Sequence, residues 1–147
     1  MRRLAFAICL FALGCSSMGT GERPMDEIAR DYVRLVLALG EHDEGYVDAY
    51  YGPEEWREEV RANTPSRQTI AEDAANLRAE LESISTPDPM EEMRRSYLST
   101  QLLALSTRIR MLEGESLSFD QESKLLYGAV APHHPTEHYE AILQKLD

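Results

Sequence analysis

The sequence is short of cysteine, of basic residues and of any apolar run long enough to span a bilayer. Its two cysteines, Cys9 and Cys15, both lie close to the N-terminus. No disulfide can then brace the body of the chain, which must hold itself together by packing. Lys and Arg number 15 against 26 Asp and Glu, a formal net charge of −11 with His neutral. So acidic a chain, with no basic cluster to offset it locally, repels phosphate backbones, and nucleic acid is not an expected partner. Leu4 to Gly14 is apolar or small throughout, but it falls well short of the roughly 20 residues a membrane-spanning helix needs. Also missing are a Ser-His-Asp arrangement, a phosphate-binding glycine loop and a dinucleotide fingerprint. The sequence signatures of the commonest hydrolase and nucleotide-binding chemistries are therefore lacking.

What is present begins with Met1-Arg2-Arg3 ahead of the apolar run, the layout of a secretory signal. The segment Ala12-Leu13-Gly14-Cys15 resembles the lipobox of bacterial lipoproteins, with Ala12 where Leu is most common. That resemblance implies cleavage before Cys15, acylation of Cys15 with fatty acid such as palmitate, and attachment to a membrane through the lipid. Ordinary signal-peptide cleavage and an uncleaved signal are the alternatives. Ser16 stands where some lipoproteins carry the Asp that keeps them at the inner membrane. In a Gram-negative cell the resemblance therefore implies an outer-membrane position facing the periplasm. Residues 1–14 read as signal, 15–24 as lipidated cysteine and a flexible Gly- and Ser-containing tether, and 25–147 as one folded domain.

Within that domain the apolar spacing is helical. Ile28, Tyr32, Leu35, Val36 and Leu39 recur at steps of three and four before Gly40, and Ile70, Ala74, Leu77, Leu81 and Ile84 form a second stripe. Asp88-Pro89-Met90-Glu91 supplies a cap, a proline at the first helical position and a glutamate able to reach back. A long central helix is expected after it, with Leu98, Leu102, Leu105, Ile109 and Leu112 as its stripe and Met93, Tyr97, Ala104 and Met111 widening the arc. Ser118 and Gln121 form a second capping box, and Pro135 suits the first position of a last helix bearing Tyr139, Ile142, Leu143 and Leu146. No strand-type alternation stands out. The expected fold is all-α, a bundle of about five helices.

Two stretches attract chemical attention. Between His42 and Trp56 lie Tyr46, Tyr50 and Tyr51 together with Asp43, Glu44, Asp48, Glu54 and Glu55. Such a mixture makes a binding lip or a tight corner. As a corner, Gly52-Pro53 starts a helix whose Trp56 and Val60 dock on the first, and this is the preferred expectation. The candidate binding residues are His42, Tyr46, Tyr50, Tyr51 and Trp56. The acids do not alternate as a calcium loop requires. His134-Pro135-Thr136-Glu137-His138 has the letters of an inverted zinc motif, yet Pro135 should start a helix and leave His134 off its face, and a third protein ligand is wanting. No metal ligand, catalytic residue or cofactor is expected in this chain.

The run from Tyr32 to Asp43 and on through Tyr46-Val47-Asp48-Ala49-Tyr50-Tyr51-Gly52-Pro53, with Leu117-Ser118-Phe119-Asp120 and Pro132-His133-His134 further on, resembles the N-terminal helical region of bacterial zincin-like metallopeptidase lipoproteins of uncharacterised function. Their His-Glu catalytic segment is absent here, so the resemblance implies a non-catalytic region without zinc residues. The preferred expectation is accordingly a helical part of a larger metallopeptidase lipoprotein, inactive alone and partnered by a missing C-terminal region. The other is a complete small envelope lipoprotein that binds a protein or peptide.

Overall fold

The computed structural model describes residues 23–146. The signal segment, Cys15 and most of the tether lie outside the described residues. Six helices follow in order: α1 (Met25–Gly40), α2 (Glu54–Ala62), α3 (Arg67–Ser83), α4 (Pro89–Leu112), α5 (Phe119–Tyr127) and α6 (Thr136–Leu143). The all-α expectation is met, and none of the described helices is long and apolar enough to cross a membrane.

The core is three helices thick. Arg95 donates to the Leu81 carbonyl, Arg78 to the Ser99 hydroxyl and Arg67 to the Leu112 carbonyl. Rising positions on α4 thus face falling positions on α3, and the two form an antiparallel hairpin. α1 lies across both, parallel to α4, with Asp26 bonded to Arg94 near one end and Asp43 to Arg108 near the other. Ile28, Leu35 and Leu39 of α1 interlock with Ile70, Ala74 and Leu81 of α3 and with Leu102, Leu105 and Ile109 of α4. Each large side chain in that cluster contributes about 1.5–3 kcal/mol by leaving water. α2 packs on α1 alone and α5 on α4 alone, while α6 packs against none of the other described helices. The bundle therefore has five members, and Tyr139, Ile142, Leu143 and Leu146 all remain exposed.

Local chemistry explains where the elements stop and start. Asp88 accepts from the Met90 N–H at 2.8 Å with Pro89 at the first turn. Glu91 does not reach back to the cap, because its carboxylate is held by Arg94 at 2.9 Å, and the Asp88 N–H instead donates to the Thr86 hydroxyl. Ser118 and Gln121 complete the reciprocal capping box. α4 ends on Gly114, φ +99°, with the Glu115 N–H donating to the Arg110 carbonyl and the Gly114 N–H to that of Met111. That is a Schellman closure, which needs a residue free to adopt positive φ. Pro53 and Pro135 occupy capping positions, one residue earlier than expected. Both have extended ψ, 124° and 159°, and each carbonyl accepts the first bond of its helix, from Trp56 and His138. At the N-terminal side, Arg23 bonds Asp31 and Glu80, and the Pro24 carbonyl accepts from Glu27. The last two residues assigned to the tether are thereby fastened to the domain.

Candidate functional site

The corner between α1 and α2 is built by short-range bonds. The His42 and Asp43 N–H groups both donate to the Leu39 carbonyl, ending α1, and the Tyr46 N–H donates to the Asp43 carbonyl. Tyr50 then folds over Gly52, where an added Cβ would stand 2.5 Å from its hydroxyl oxygen, and donates to the Pro53 carbonyl at 3.0 Å. Only a residue without a side chain lets the ring lie there.

This corner sends the five candidate residues in different directions. His42 leaves the groove side and donates through Nε2 to the Pro65 carbonyl at 2.7 Å, bracing the corner against the loop before α3. Tyr51 is 97% exposed and lines none of the grooves described below. Trp56 turns back on α1 under the guanidinium groups of Arg30 and Arg34, 5.9 and 5.7 Å from its ring centre. Tyr50 carries Arg57 over its ring at 4.8 Å. Tyr50 and Trp56, with Val33, Leu37 and Val47, wall an apolar recess of about 350 Å³. Tyr46 faces a separate groove of about 440 Å³ between α1, the corner, α4 and α5. Tyr32 and Val36 line both, so the recess and the groove adjoin.

The groove is the more polar of the two. Its floor carries an ion pair in which Arg108 Nε donates to Asp43 at 2.7 Å, with the Asp43 side chain only 14% exposed. The bond holds Arg108 still more firmly in its charged form. Burial pushes the Tyr32 hydroxyl up to about 12, with Tyr46 and Tyr97 adding to the shift. Tyr46 is raised as well, by burial first and then by the Asp43 carboxylate, against an opposing pull from Arg108. Both phenols therefore stay neutral at ordinary pH and present hydroxyl groups that can donate or accept. Gln101, Glu122, Leu126 and Tyr127 complete the wall.

The tyrosine-rich stretch thus supplies Tyr46 to the groove and Tyr50 and Trp56 to the recess, while His42 and Tyr51 lie outside both. Tyr32, Arg108, Glu122 and Tyr127 were not singled out from sequence, since each sits on a helix whose pattern reads as packing. Arg108 did leave a signal, a cation standing at helical spacing between Ala104, four residues before it, and Met111, three after, in the apolar arc of α4. The histidine motif also differs from expectation. His134 folds back so that its ring stacks on that of His138 at 4.0 Å, with Tyr139 edge-on to both. The extended Pro135 cap makes this return possible. His133 turns away to Asp120 at 3.0 Å. Among the described residues no group of three or more His, Cys, Asp and Glu side chains is placed to hold a metal ion.

Comparison of the chain with protein-family models, with curated proteins and with solved structures finds no match.

Proposed function

We propose that this chain is an exported lipoprotein, held on a membrane through lipid on Cys15, whose helical domain binds a peptide segment in the joined recess and groove beside the α1–α2 corner. The observation that carries the binding role is the shared wall of Tyr32 and Val36 between an apolar recess and a polar groove. Ligand sites combine apolar area with a few placed polar groups in this way. Tyrosine suits it because its ring offers contact area and its hydroxyl a hydrogen bond at little cost in conformational entropy. The resemblance to the N-terminal regions of metallopeptidase lipoproteins supports the same role, because a helical part that gathers peptide would serve a neighbouring peptidase. The basic start, apolar run and lipobox-like Ala12-Leu13-Gly14-Cys15 support the anchor.

Two measurements test the proposal. Wild-type protein expressed with radioactive palmitate should take up label and partition into detergent, and Cys15→Ala should do neither; equal labelling of both would contradict the anchor. Purified full-length protein should be retained by an unbiased array of immobilised peptides, and Ala104→Phe, which places a ring in the groove, should abolish retention. A wild-type protein that no peptide retains removes the binding role.

A further inference from the structure

We infer that the groove beside Tyr46 seats a lysine or arginine side chain of the bound peptide, while a nearby apolar side chain of that peptide fills the recess beside Trp56. The inference rests on the peptide-binding role and names the chemistry of its ligand.

Charge is the first argument. Three ionised side chains line the groove, and two of them, Asp43 and Arg108, neutralise each other at 2.7 Å. The third is Glu122, which has no ion-pair partner among the described residues and lies close enough to Arg108 to influence its ionisation. The groove therefore carries one uncompensated negative charge. Glu44 and Asp48 on the same corner add further acid, within a chain of net charge −11. A half-desolvated carboxylate in such a setting gains most from an incoming cation and would repel an acidic ligand.

The second argument is the use already made of the aromatic faces. Trp56 is covered by Arg30 and Arg34, and Tyr50 by Arg57. The corner thus engages its own aromatic rings by cation–π contact. Tyr32, Tyr46 and Tyr127 carry no such internal cation among the described residues, and all three line the groove with Glu122. A lysine or arginine entering there meets aromatic faces along its stem and a carboxylate for its charged end. The recess next door is apolar and shares Tyr32 and Val36, so a single peptide can present an apolar and a basic side chain to the two together.

The test uses the full-length protein and an array of synthetic peptides of matched apolar content, with Lys or Arg, Gln, or Glu at the varied positions. Retention is expected on the Lys and Arg members. It should weaken about tenfold for Glu122→Gln, weaken again for Glu122→Lys, and return for Glu122→Asp. Tyr127→Ala, at a position 76% exposed, should weaken it without lowering the melting temperature. Retention on Gln or Glu peptides as strong as on Lys and Arg peptides would overturn the inference and leave peptide binding standing. So would undiminished retention of Lys and Arg peptides by a Glu122→Gln protein that melts with the wild type. Retention by no peptide at all removes both the inference and the binding role beneath it.

Discussion

Tyr32 couples the groove to stability in a way that can be read by titration. Folded, its hydroxyl titrates near 12, against 10.0 for the free side chain. The folded state therefore prefers the protonated form, and unfolding above pH 10 is helped by the proton the unfolded chain releases. The contribution is complete below pH 10 and disappears as pH rises towards 12. With the side chain only half-buried it amounts to roughly 1 kcal/mol. Urea midpoints should fall over that range in the wild type and fall less in Tyr32→Phe; parallel falls would contradict the assignment. Asp43→Asn acts at the same place for a different reason, leaving Arg108 without its carboxylate. It should lower stability by about 1–2 kcal/mol, measured by denaturant unfolding at neutral pH. No change would mean that the ion pair is fully replaced by water.

At the scale of elements, the capping residues and the central stripe make the clearest predictions. Ser118→Ala removes one half of the α5 capping box and should cost about 1 kcal/mol. Leu102→Ala opens a cavity in a fully buried position and should cost about 2–5 kcal/mol. Deleting residues 129–147 should leave the melting temperature nearly unchanged, because α6 buries nothing against the other described helices. A substantial drop would place α6 in the cooperative unit. The helices themselves were legible in the sequence because their signals are local. Of the stripe from Ile70 to Ile84, Ile70, Ala74, Leu77 and Leu81 are buried and Ile84, just past the helix end, is partly buried, and Ser118 with Gln121 caps as its spacing implies. The groove was less legible, since Tyr32, Arg108 and Glu122 meet only through the packing of three helices. The reach of Glu91 to its own cap failed for a local reason, Arg94 three residues on being the stronger competitor for its carboxylate. Tyr50 and Trp56 could be read from sequence as corner-formers, but the internal arginines over their rings could not.

In the molecule as a whole, the acidic domain presents its corner at one end of a three-helix core, with α6 packed on none of the other described helices. The exposed Tyr139, Ile142, Leu143 and Leu146 make α6 the place where a hydrophobic dye should bind. Leu143→Ser with Leu146→Ser should remove that binding while leaving peptide retention intact. Persistent dye binding would assign the patch to Met93 and Tyr97 of α4 instead, which are also exposed. Peptide binding in the tyrosine-lined recess and groove can be located by amide hydrogen exchange of the full-length protein, with and without the tightest basic peptide from the array. Protection confined to residues 32–37, 43–56, 101–108 and 122–127 is the predicted result. Protection centred on α6, or on the face of α3 turned away from the corner, would contradict it.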